Sequence, residues 1–119
     1  MRANARNMIC LLIFTLTAFP SAGYSDELKK GMKFLAARKL LIKASWQPVN
    51  IHKGKDYNFI GVENELIKAP IEEVENCAID KAICQFNYRK HNKCLQVFTQ
   101  GERIEDMWVY HWTDECPNS

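Results

Sequence analysis

The apolar period of this chain changes at Pro70, and that change constrains the fold more than any other feature. Before Pro70 apolar residues recur at spacings of three and four. After it they alternate. The stretch 29–45 carries Phe34, Ala37, Leu41 and Ala44 on one helical stripe, with Leu40 beside them. Leu35 and Ile42 widen that stripe, and Lys29, Lys39 and Lys43 fall opposite. Ser25 or Asp26 supplies a cap, Asp26 and Glu27 suit the positive end of the helix dipole, and Trp46 and Pro48 end the segment. A polar loop follows over 49–57. A second helix is expected over 59–68, capped by Asn58, with Phe59, Val62 and Leu66 on one side.

Beyond Pro70 the alternation predicts strands at 72–77, 83–89, 94–99 and 107–113, separated by turn residues. A two-residue turn at His91-Asn92 pairs Lys90 with Lys93, Tyr88 with Leu95 and Phe86 with Val97, all with the apolar members on one face. Pairing Val97 with Tyr110 and Leu95 with Trp112 then puts Trp108, Tyr110 and Trp112 on that same face, as core. The opposite face holds Gln85, Asn87, Arg89, Gln96, Phe98, Val109 and His111. The expected fold class is therefore α+β: two N-terminal helices packed on one face of a four-stranded antiparallel meander.

The N-terminus predicts export. Arg2 and Arg6 precede an apolar run over 8–19, and Pro20-Ser21-Ala22-Gly23 follows, the order of a secretory signal peptide. The run is shorter than the roughly 20 residues a membrane-spanning helix needs. Residues 1–23 are read as the signal and 24–119 as a single domain, with no transmembrane segment after cleavage. Cys10 lacks the small preceding residue of a lipoprotein site. The expected location is periplasmic or secreted.

Cys77, Cys84, Cys94 and Cys116 remain in the exported part, an even number in a small domain, which reads as two disulfides. Their spacings match no zinc ribbon or finger, and no C-x-x-C pair exists. In the strand layout Cys77 and Cys84 flank the first hairpin loop, and Cys94 and Cys116 lie at meeting strand ends. Cys77–Cys84 and Cys94–Cys116 are thus favoured, each adding about 2–4 kcal/mol. Strict pairing of Cys77 with Cys84 would turn Glu73 and Glu75 inward and Val74 outward, so a bulge is expected in the first strand.

Charge and motif exclude several functions. Loss of Arg2 and Arg6 takes the 16 Lys and Arg to the same number as the 14 Asp and Glu. A neutral domain has no global field for nucleic acid or anionic membranes. His52, His91 and His111 share no ligand spacing, and no serine lies in a G-x-S-x-G context. No cofactor or metal motif is present. Glu73 with Glu75, and Glu102, Glu105 and Asp106 in one loop, are carboxylate groups read as solvated rather than catalytic, because so short a chain leaves little room for a deep cleft. The basic turn Arg89, Lys90, His91 and Lys93 is read as a hydrophilic turn.

Ala37-Arg38-Lys39-Leu40-Leu41, Trp46-Gln47-Pro48, Gly61-Val62-Glu63, Glu73-Val74-Glu75 with Cys77, and Val109 with Trp112 resemble segments of small exported, mostly uncharacterised proteins of Gram-negative bacteria. The element order of two helices and a meander resembles one repeat of the β-lactamase inhibitor proteins. These resemblances imply a periplasmic or secreted α+β domain and transfer no active site. The reading that follows is an exported, disulfide-stabilised binding protein, of inhibitor or immunity type, with a protein partner and no catalytic residue. Its contact residues are expected on the outer sheet face, at Arg89, Phe98, Val109 and His111. The alternative is a small envelope enzyme or ligand-binding module acting on cell-wall glycan. Mass spectrometry of the exported protein should find its first residue between Gly23 and Asp26; a product retaining residues 8–19 would contradict the signal reading.

Overall fold

Helix α1 (Phe34–Lys43) forms where Phe34, Ala37 and Leu41 put three apolar side chains on one stripe. It belongs to a computed structural model that describes residues 28–118. The signal-peptide reading and the caps Ser25 and Asp26 lie outside those residues. The helix starts later than the pattern predicts because the sheet edge takes its first residues. Gly31, at φ 90°, donates from its N–H to the Val109 carbonyl at 2.7 Å, Val109 returns a bond to Met32, and Phe34 donates to Met107 at 2.9 Å. Leu35, Leu40 and Ile42 are exposed and do not widen the buried stripe.

The helix ends in a Schellman motif. Ser45 takes a left-handed conformation and donates to the Ile42 carbonyl at 3.0 Å, while Trp46 donates to that of Leu41 at 2.9 Å. Both Trp46 and Leu41 are buried, the apolar contact that accompanies this motif. Strand β1 (Gln47–Pro48) follows, then helix α2 (Val62–Lys68), shorter than the expected 59–68. Gly61, at φ 59°, breaks the helical path, and it, not Asn58, precedes the first turn. At the far end Pro70 has no N–H to offer, and Ile71 donates back to Leu66 at 2.8 Å.

Strands β2 (Val74–Ala78), β3 (Ile83–Lys90), β4 (Lys93–Gln100) and β5 (Trp108–Thr113) form the expected antiparallel meander. The sheet nevertheless has five strands, and the helices are not both N-terminal to it, because β1 lies between them. It pairs Gln47 with Arg89 and Pro48 with Tyr88, sharing one edge of β3 with β2. Pro48 is tolerated there because an edge position asks for no second ladder bond. The β3–β4 register is the one anticipated: Lys90 faces Lys93, Tyr88 faces Leu95 and Phe86 faces Val97.

The β4–β5 register differs from expectation. Val97 faces Trp112 and Phe98 faces His111, then a bulge shifts the pairing so that Thr99 faces Val109 and Gln100 faces Trp108. The bulge inverts the alternation along β5. Val109 turns inward and Trp108 outward, and Trp112 stays on the core side, partly buried. Both disulfides form as expected, Cys77–Cys84 and Cys94–Cys116. They fit an oxidising, exported environment. Among the described residues no helix is long and apolar enough to cross a membrane. The expected irregularity in β2 lies between Val74 and Asn76.

The core fills the space between the helices and one sheet face. Phe34 stacks on Phe86 at 4.0 Å, and Ala37, Leu41, Leu66, Leu95, Val97 and Met107 close around them. Two carboxylates are buried with them, and this corrects the reading of Glu73 as solvated: a cation and a hydroxyl take the place of water around it. Glu73, at 0% exposure, takes Arg38 Nε at 2.5 Å and Arg38 Nη2 at 3.3 Å, and accepts from Tyr88 Oη at 2.7 Å. Glu63, at 2%, accepts from the Cys77 N–H at 2.7 Å, the Ile60 N–H at 3.0 Å and Tyr57 Oη at 3.2 Å. Burial would lower the Arg38 pKa, but the Glu73 hydrogen bond and charge outweigh it and the net shift is upward. Burial first, and Glu73's charge second, push the Tyr88 hydroxyl well above its ordinary value.

Arg38→Ala strands the Glu73 carboxylate in the core, and chemical denaturation should show a loss of about 3 kcal/mol, the lower end of the range because Arg38 is partly solvated. Tyr88 sets an alkaline limit. Its folded pKa is raised, so its contribution is complete below about pH 10 and lost as the unfolded chain alone releases the proton above that. Wild-type stability should fall above pH 10 by up to about 1.4 kcal/mol per pH unit more steeply than that of Tyr88→Phe; equal slopes would contradict the assignment.

Candidate functional site

The outer sheet face divides into a polar half and an aromatic half. The polar half is a chain of side chains crossing the strands. Glu75 Oε1 accepts from Asn87 Nδ2 at 2.9 Å and from Gln85 Nε2 at 3.1 Å. Asn87 Oδ1 accepts from Gln96 Nε2 at 3.2 Å, and Gln96 Oε1 accepts from Thr113 Oγ1 at 3.3 Å. Asn87 and Gln96 are buried by these partners. Such a chain satisfies its own donors and acceptors, so it holds β2 to β5 together and offers little to a ligand.

The aromatic half lies on β4 and β5. Phe98 and His111 face each other across the ladder with ring centres 5.4 Å apart. Tyr110 lies 6.5 Å from Phe98 and 6.3 Å from His111, and Trp108 is 6.2 Å from Tyr110. Trp108 is 38% exposed and His111 is also exposed, while Phe98 and Tyr110 are half-buried. The bulge makes this strip. Without it Trp108 would follow Trp112 to the core side.

The four residues expected at the contact surface are only partly brought together. Phe98 and His111 are neighbours. Val109 is not on the surface: it is 0% exposed, turned into the core opposite Thr99 by the bulge. Arg89 is exposed but stands apart, because it faces Cys94 while Phe98 faces Gln85. Four residues of strand separate those positions, about 13 Å at the usual rise. Arg89 instead lines a hollow with Ser45, Gln47, Lys90 and His91. Trp108 and Tyr110 replace the missing members. Met107 and Val109, both fully buried, show the alternate phase of β5 that the aromatic spacing concealed.

The remaining histidine is structural. His52 Nε2 donates to the Glu75 carbonyl at 2.6 Å, and its ring stacks on Tyr57 at 3.7 Å. Among the described residues no group of three or more His, Cys, Asp or Glu is placed to hold a metal ion. No protein family, curated protein or solved structure matches the chain.

The two sides of β5 should separate on substitution. Val109→Ala opens a core cavity and should cost about 2 kcal/mol. Trp108→Ala removes an exposed ring and should leave the melting temperature within about 2 °C of wild type. The reverse ranking in calorimetry would contradict the bulge.

Proposed function

We propose that this is an exported binding protein, periplasmic or secreted, that engages a protein partner through the strip formed by Phe98, Trp108, Tyr110 and His111. The observation that carries this reading is the contact of four such rings on an otherwise polar sheet face. Tyr, Trp and Phe are enriched at protein interfaces because each buries a large area with few rotamers to freeze. The two disulfides support it by holding the surface in its bound geometry before contact. An inhibitor or immunity role accords with the resemblance of two helices and a four-stranded meander to one repeat of the β-lactamase inhibitor proteins, apart from β1 between the helices.

The glycan-directed alternative is less well supported. A sugar needs free polar groups beside a stacking ring, and here the neighbouring amides are spent on one another. A glycan hydrolase also needs a carboxyl group that burial keeps protonated, ready to act as general acid. The hollow lined by Glu65, Glu102 and Glu105 leaves all three carboxylates exposed.

A photo-crosslinking amino acid at His111 tests the reading in the exporting cell. Irradiation should give one discrete adduct containing a second polypeptide, absent when the probe sits at Lys68 on α2. The adduct should fall at least about tenfold in yield with Phe98→Ala and Trp108→Ala in the same chain. An adduct that survives both substitutions would place the contact elsewhere, and adducts with glycan alone would favour the alternative.

A further inference from the structure

A groove that shares no lining residue with the aromatic strip opens between the start of α2, the β2–β3 turn and the loop 101–107. It consists of two hollows of about 310 and 600 Å³ that share Gly61, Val62 and Glu102. One half is apolar. Ile79 stands at the tip of the β2–β3 turn and is 69% exposed, the largest fraction among the exposed large apolar side chains. Ile60 lines the same hollow at 45% exposure, as do Val62 and Ala82. The other half is acidic, lined by Glu65, Glu102 and Glu105. Among the described residues Glu65 and Glu102 make no ion pair. The cation in this half, Arg103, is engaged by Asp106 at 2.8 Å and Glu105 at 3.6 Å. The acidic half therefore carries net negative charge.

The walls are fixed before anything binds. A single buried carboxylate, Glu63, accepts from Ile60 N–H on one wall and from Cys77 N–H on the other. The Cys77–Cys84 disulfide closes the turn that carries Ile79. Gly101 donates to the Ala82 carbonyl at 2.9 Å, joining the turn to the loop 101–107. A side chain at Gly101 would meet the Asp106 carbonyl at 2.7 Å, so this close approach requires glycine. An exposed isoleucine on a cross-linked turn binds at low entropic cost.

From the charge and the apolar rim we infer that this groove is a second recognition site, for a basic, apolar peptide segment of a partner protein. Lysine or arginine of the segment would meet Glu65 and Glu102, and its apolar side chains would cover Ile79 and Ile60. The site uses none of the residues of the aromatic strip, so each surface stands or falls alone.

The test uses the disulfide-bonded protein and a fluorescein-labelled peptide, Leu-Lys-Leu-Lys-Leu-Gly. Anisotropy titration should show saturable binding that weakens about tenfold with Ile79→Asp and about tenfold with Glu102→Lys, and is unchanged by Trp108→Ala. Replacing the peptide's lysines by glutamates should abolish binding. Amide resonances of Gly61, Ile79 and Gly101 should shift on titration, and the unperturbed remainder of the spectrum verifies the fold of each variant. Equal binding of Gly-Lys-Gly-Lys-Gly, or indifference to Ile79→Asp, would reduce the effect to bulk electrostatics and overturn the site. Absence of binding at millimolar peptide would overturn it as well.

Discussion

The buried carboxylate of Glu73 is the constraint on which the rest of this structure depends. An unpaired carboxylate in a core of this kind costs several kcal/mol, so the fold must bring it a cation and a donor. Arg38 from α1 supplies the first and Tyr88 from β3 the second. Meeting both needs at once fixes where α1 lies over the sheet. It also requires Glu73 and Val74, adjacent in sequence at the entry to β2, to face the same side. Glu73 stands in the turn just before β2, outside the strand's alternation, so it and Val74 can both face the core, while the bulge between Val74 and Asn76 leaves Glu75 to reach Gln85 and Asn87 on the far face. Glu63 does for α2 what Glu73 does for α1, tying the helix start to the backbone of β2 at Cys77. The helical layer is therefore docked by two desolvated anions as well as by apolar contact.

A domain this small buries a limited core, and covalent bonds complement it. Cys77–Cys84 secures the turn at the end of β2, and Cys94–Cys116 ties the segment after β5 to the start of β4. Between them the outer face is braced by the chain of amides from Glu75 to Thr113. Apolar groups left at the surface include the aromatic strip on β4 and β5, and Ile60 and Ile79 at the groove. Large exposed apolar groups on a rigid frame are the pattern of a recognition surface; Leu35, Leu40 and Ile42 on α1 are exposed as well.

Much of this fold was legible in the residues. The period change at Pro70 separates the helices from the meander, the His91-Asn92 turn sets the β3–β4 register, and strand ends pair the cysteines. Other features were not. Strand β1 is two residues long and has no alternation to detect. The first turn of the expected α1 is consumed by backbone bonds to β5, a tertiary choice that helix propensity cannot reveal. In β5 two phases compete: Met107 and Val109 in one, Trp108, Tyr110 and Trp112 in the other. A bulge lets each phase serve part of the strand, and alternation read as unbroken assigns Val109 to the surface and Trp108 to the core. Half of the candidate surface, Phe98 and His111, was accessible to sequence reasoning because β4 is regular up to that point. Ile79 carried a readable signal, an isoleucine inside a cysteine-bounded turn.

Tryptophan oxidation followed by peptide mass spectrometry tests the placement of the aromatic strip most directly, because the three tryptophans occupy three environments. Trp108 on the outer face should oxidise first, Trp112 on the core side more slowly, and Trp46, 3% exposed, only when the protein unfolds. Oxidation of Trp112 ahead of Trp108 would mean that β5 keeps unbroken alternation or the opposite register, and the strip on which the proposed partner contact stands would not exist.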